Sequence, residues 1–300
     1  MKASETPDLG VLLPSWVLTL RAERKSPATI RTYTDGIGAF LAWADTTGTP
    51  AVLDRRTVTA FCAHLVDEGR EGATVRARQL ALRRFSAWLT EEGEIPQDRL
   101  LGIKPAKLDQ KVVDPLTEDQ LKAMLKACSG SSFMDRRDEA MLRLMAETGM
   151  RAGECVALEA RDLDLMAGTV VIRRGKGGKG RVVPFGPQTA RALDRYRRAR
   201  AQHPMADTAP FWLAVRSRSF GYDGLRKALV TRAKAAGIEG FHPHQLRHTA
   251  AHRWLAAGGS EGGLMAVAGW SRPDMLVRYT KARASERAAT EARSLNLGDL

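Results

Sequence analysis

The sequence predicts a mostly α-helical protein of two domains carrying one small β-hairpin. Three observations lead there. Apolar residues recur at helical spacing through most of the chain. Two β-branched runs flank a glycine- and lysine-rich turn in residues 168–185, the strongest strand signal present. Residues 101–116, with two prolines, three lysines and little periodicity, divide the helical pattern in two. At 300 residues and 44% hydrophobic content the chain is long enough for two cores, given a usual domain size of roughly 100–200 residues.

The first domain is expected over residues 11–100 as about four helices: LPSWVLTLRAERK, SPATIRTYTDGIGAFLAWADTTG, DRRTVTAFCAHLVDEG and GATVRARQLALRRFSAWLTEEG. Ser26-Pro27 and Thr74 have the character of helix starts, and Gly48, Gly69 and Gly93 that of helix ends. In the fourth helix Val75, Leu82, Phe85 and Leu89 form a core stripe, while Arg76, Gln79 and Arg83 fall together on the opposite face. Residues 101–116, LGIKPAKLDQKVVDPL, read as an extended basic linker.

The second domain is expected over residues 117–293. It opens with Thr117 and Gln120 in capping-box spacing. The amphipathic helix MDRRDEAMLRLMAETG follows and ends at Gly149. After the hairpin, helical patterns return at about 187–201, 222–236, 244–257, 261–269 and 272–280, with a last amphipathic piece near 283–293.

Charge narrows the partner. The formal net charge is +13 and the isoelectric point about 10.1, yet residues 1–100 carry 13 basic and 13 acidic side chains. The whole excess therefore lies beyond residue 100, as for a domain that holds a polyanion. No run of about 18 apolar residues and no signal-peptide pattern occurs, so the expectation is a soluble, cytoplasmic protein. Cys62, Cys128 and Cys155 are odd in number and far apart, and read as small buried hydrophobes, not as a disulfide or zinc framework.

Several basic side chains could carry chemistry. Arg151, in TGMRAGE, follows one helix end and precedes another short helix; alone it would be a capping surface arginine. Lys176 and Lys179 stand in the turn GKGGKG, which lacks the hydroxyl and following helix of a P-loop and alone would be a solvated tip. FHPHQLRHTAAHRWL gathers His242, His244, Arg247, His248 and His252 without a carboxylate among them. A metal site is not expected there, because an adjacent guanidinium repels a cation. His244 and Arg247, three residues apart on one helix face, suit a phosphodiester instead: the guanidinium grips two oxygens and the imidazole moves a proton near neutral pH. Tyr279 follows 32 residues later. With a free pKa of about 10, a tyrosine needs a cationic pocket and a base before it can attack phosphorus.

The ordered series Arg151, Lys176, His244-x-x-Arg247, Trp270, Tyr279 resembles the catalytic series of the tyrosine recombinase (phage integrase) family. The contexts TGMRAGE, GRVVPF and AGWSRPDMLVRY strengthen the resemblance, which spans nearly the whole chain. It implies an N-terminal helical, SAM-like core-binding domain and a C-terminal α+β catalytic domain. It also implies that Arg151 and Arg247 clamp the scissile phosphate, that Lys176 protonates the leaving 5′-oxygen, and that His244 accepts or orients the phenolic proton. Tyr279 would form a 3′-phosphotyrosyl link without metal or other cofactor, and Glu154 would orient its neighbours. Most relatives have histidine at the position of Trp270, whereas Cre-type enzymes have tryptophan there. An indole N–H donates but cannot titrate, which limits this position to holding and packing.

The resemblance further implies double-stranded DNA recombination sites as partner, a monomer or dimer on one site, and a homotetramer on two duplexes exchanging strands through a Holliday junction. An accessory DNA-bending protein is a possible further partner, no membrane is involved, and the final segment would dock on the next subunit. Lys25, Thr29, Arg31, Arg76, Gln79, Arg83 and Lys179 are the candidate DNA contacts. With only about ten residues before its first helix, the chain is expected to lack the separate arm-binding domain of many phage integrases. The alternatives are a transposon-type or DNA-relaxing tyrosine enzyme, and a catalytically silent DNA-binding protein of the same fold.

Overall fold

The computed structural model describes residues 7–107, 114–173, 180–215 and 220–270, together with 272 and 276. Two compact units emerge, dividing between Lys111 and Val112.

The first unit holds four helices among the described residues: α1 Leu9–Ala22, α2 Pro27–Thr47, α3 Arg55–Asp67 and α4 Gly72–Glu91. Asp8, Ser26 and Asp54 cap the first three, each accepting a main-chain N–H of the first turn. The Asp8 cap starts α1 earlier than the pattern suggested and leaves Pro14 inside the helix. Likewise α4 begins before Thr74, whose own N–H is already turned onto the Glu71 carbonyl. Trp16, Ile37, Phe40, Phe61, Leu82, Phe85 and Leu89 interlock into one core. Helices α2 and α4 cross so closely at Gly36 that an added Cβ would lie 2.7 Å from that of Ala81.

One expectation for this unit is corrected. Gln79 does not share the open face of α4 with Arg76 and Arg83: it is 7% exposed and faces residues 104–106. Its amide nitrogen donates to the Lys104 carbonyl at 3.2 Å and its amide oxygen accepts from the Ala106 N–H at 2.8 Å. The start of the basic segment offers a donor and an acceptor that a side-chain amide can satisfy together, and Ile103 beside it is buried in the core.

In the second unit the order is α5 Glu118–Lys126, α6 Phe133–Thr148, α7 Ala152–Val156, β1 Leu163–Asp164, β2 Thr169–Ile172, β3 Arg181–Pro184, α8 Pro187–Arg200, α9 Tyr222–Ala235, α10 His244–Ala256 and α11 Glu261–Ala268. The capping box at Thr117 and Gln120 forms, and α6 stops at Gly149 in the left-handed region, φ 61°. Strands β2 and β3 pair antiparallel with Val170 opposite Val183, and β1 adds a short third strand that the sequence did not announce. Met141, Leu144 and Met145 of α6 lie in the core of this unit, and α6 packs most extensively against α8 and α10.

Buried arginines in this unit find carboxylate or carbonyl acceptors. Arg137 and Arg232 share Asp138. Arg200 donates to the carbonyls of Ala206, Thr208, Pro210 and Phe211 and thereby ties down the chain after α8. Cys128 and Cys155 are buried, as small hydrophobes would be, and Cys62 is half-buried. No described helix is long and apolar enough to cross a membrane.

Candidate active site

The site is built around the turn between α6 and α7. Gly149 closes α6, and two residues later Arg151 stands at the N-terminus of α7. Its main-chain N–H donates to Glu154 Oε2 at 2.9 Å and its Nη1 to Glu154 Oε1 at 2.8 Å, with the side chain 28% exposed. Burial works to raise the Glu154 pKa, but the N–H groups of Arg181 and Arg151 outweigh it and hold the carboxyl below its ordinary value. Glu154 is thereby the shared acceptor of Arg151 and Arg181.

Helix α10 brings the second arginine to the same turn. Arg247 is 2% exposed; Nη1 donates to the Gly149 carbonyl at 2.7 Å and Nη2 to the Ala268 carbonyl at 2.8 Å. Its guanidinium lies 5.1 Å from the centre of the Trp270 ring. Trp270 follows α11 directly and packs with Ala251, Leu264, Ala268 and Leu276. Arg151, Glu154, Arg247 and Trp270, scattered over 120 positions, are thus joined through the ends of three helices.

His244 opens α10 one turn before Arg247, is exposed, and meets His248 edge to face at 4.9 Å between ring centres. Burial, reinforced by His244, His242, His252 and Arg247, brings the His248 pKa down to about 4. His248 is therefore neutral at neutral pH and presents no second charge to His244. Among the described residues no group of three or more acidic, histidine or cysteine side chains could hold a metal.

Lys176, Lys179 and Tyr279 lie outside the described residues, as do the expected helix at 283–293 and all of the one at 272–280 except residues 272 and 276. Of the candidate DNA contacts, Lys25, Arg31 and Arg76 are exposed and Arg83 is half-buried. Thr29 is half-buried and shares a hydrogen bond with the Ser26 hydroxyl at 2.9 Å, within the N-terminal turn of α2.

The sequence reading missed Arg181. It donates to both Glu154 oxygens, at 3.1 and 2.7 Å, and from Nε to the Val267 carbonyl at 2.8 Å. A signal was present: strand alternation puts residue 181 on the same face as Val183, which is core, and an arginine on a buried face needs partners.

Residues 114–286 match the phage integrase family and residues 13–93 the phage integrase N-terminal SAM-like domain. The chain belongs to the phage integrase family, the tyrosine recombinases. Tyrosine recombinase XerC of Pseudomonas fluorescens is 31% identical over 243 residues, 79% of each chain. The fold is shared with XerH site-specific recombinase bound to a palindromic difH substrate after cleavage: TM-score 0.69, 20% identity, 87% of this chain and 79% of that one. It is shared too with a lambda integrase tetramer on a Holliday junction: TM-score 0.67, 17% identity, 88% of this chain and 77% of that one.

Proposed function

We propose that this chain is a site-specific DNA recombinase that cuts and rejoins duplex DNA through a covalent tyrosine intermediate. The observation that carries the reading is the joining of Arg151 and Arg247, far apart in sequence, through the turn at Gly149, with Arg247 also held at the end of α11 by the Ala268 carbonyl. Two fixed guanidiniums are the arrangement that stabilises the charge of a pentavalent phosphorus.

In the reaction the Tyr279 hydroxyl oxygen attacks the scissile phosphorus and gives up its proton to His244. The bond to the 5′-oxygen breaks, and Lys176 protonates that oxygen. A 3′-phosphotyrosyl link and a free 5′-hydroxyl result, so the bond energy is kept and no nucleotide hydrolysis is needed. Attack by the 5′-hydroxyl of a second duplex reverses the chemistry and exchanges strands. A homotetramer on two duplexes would exchange them through a Holliday junction, and residues 284–300 would dock on the neighbouring subunit.

The test uses nicked suicide duplexes, in which the cleaved strand diffuses away and traps the adduct. The wild-type protein should form a covalent protein–DNA species and Tyr279→Phe none. No adduct on any selected site, or an undiminished one from the variant, would overturn Tyr279 as nucleophile.

A further inference from the structure

We propose that Arg181 is a positioning residue for strand cleavage: by filling the Glu154 carboxylate it keeps the Arg151 guanidinium available to the scissile phosphate. The inference rests on the recombinase reading above.

Three observations support it. Glu154 Oε1 accepts from Arg151 Nη1 at 2.8 Å and Arg181 Nη1 at 3.1 Å; Oε2 accepts from the Arg151 N–H at 2.9 Å and Arg181 Nη2 at 2.7 Å. A carboxylate has about four lone-pair sites, and these donors fill them. Arg151 is consequently held through one guanidinium nitrogen, where an arginine alone with a carboxylate favours a two-pronged grip.

Charge is the second observation. Two guanidiniums against one carboxylate leave the cluster with a net positive charge. Without Arg181, Glu154 and Arg151 would neutralise each other, and a phosphate would have to compete with a buried carboxylate for Arg151.

The third is connectivity. Arg181 Nε holds the Val267 carbonyl at 2.8 Å and Arg247 Nη2 holds the next one, Ala268, at 2.8 Å. Arg247 Nη1 returns to Gly149 at 2.7 Å, two residues before Arg151. The bonds thus close a ring that contains both phosphate-clamping arginines. Gly269, at φ 64°, completes the fit: an added Cβ would lie 2.9–3.2 Å from the Arg181 guanidinium, so that group packs directly under the turn into Trp270.

The experiment compares wild type, Arg181→Met, Arg181→Lys, Glu154→Gln and the double variant R181M/E154Q. Single-turnover cleavage of nicked duplexes and duplex Kd are both measured. Arg181→Met should cleave at least about tenfold more slowly with Kd changed less than about threefold, an effect on the transition state and not on binding. Arg181→Lys, which keeps charge but not the fork, should fall between. The double variant, with no carboxylate left to sequester Arg151, should regain most of the lost rate, whereas a merely structural role predicts further loss.

A second readout needs no cleavage. The Nε–Hε NMR signal of Arg151 in the protein without DNA should move in Arg181→Met or Arg181→Lys and return toward wild type when Glu154→Gln is added. This judges Arg181 even if Tyr279 proves not to be the nucleophile. Wild-type cleavage by a folded Arg181→Met, a double variant no faster than the single one, or an unmoved Arg151 signal would each overturn the proposal.

Discussion

Gln79 uses both ends of its amide on the main chain of residues 104–106. Gln79→Leu would leave the Lys104 carbonyl and the Ala106 N–H without that partner, and should lower stability by about 1–3 kcal/mol in urea unfolding. Duplex affinity of the folded variant should be unchanged; lost affinity at full stability would return Gln79 to the DNA face.

His248 gives a pH-dependent outcome at the same scale. Its folded pKa of about 4 lies below the usual 6.5, first through burial and then through His244, His242, His252 and Arg247. The unfolded chain therefore binds more protons between these values, so stability contributed by the neutral ring is complete above pH 6.5 and is lost as pH falls toward 4. The urea midpoint should drop over that window, and His248→Phe should flatten the drop; an unchanged slope would mean that His248 is not the group responsible.

At the level of elements, α10 does more than carry His244 and Arg247. Gln245, Thr249 and Arg253, one turn apart along one face, hold the Asp114 carbonyl, the Leu116 N–H and Glu118. The entry of the chain into this unit is thereby bound to the helix that carries Arg247. Thr249 is 1% exposed, and its hydroxyl accepts the Leu116 N–H at 2.9 Å. Thr249→Val keeps the shape and removes the acceptor. It should cost about 1–3 kcal/mol by thermal or urea unfolding, the penalty for a buried donor left unmade, and a neutral result would show that Leu116 finds another partner.

For the molecule as a whole, the charge distribution sets how DNA is held. The entire +13 excess lies beyond residue 100, so binding should weaken steeply with salt, log K falling by about 0.9 per neutralised phosphate for each log unit of salt. Arg76→Ala or Arg83→Ala should each reduce that slope by about one wherever the side chain holds a phosphate. An unchanged slope and affinity would make that arginine a solvated one.

The sequence by itself determined the element plan. Period and capping residues are local properties, so the helices at 187–200, 222–235, 244–256 and 261–268, the box at Thr117, the stop at Gly149 and the 168–185 hairpin could all be placed from short windows. It also supplied the ordered basic residues that mark the family. Only tertiary structure decided which polar side chains are spent inside. Gln79 was read as a DNA contact because helical period gives a face and not a neighbour, and the segment that covers it lies 25 residues further on. Arg181 was passed over because its partners, Glu154 and Val267, are 27 and 86 residues away. Hydrogen-bond satisfaction of buried charge is a long-range condition, met only once the chain ends of several helices have been brought to one place.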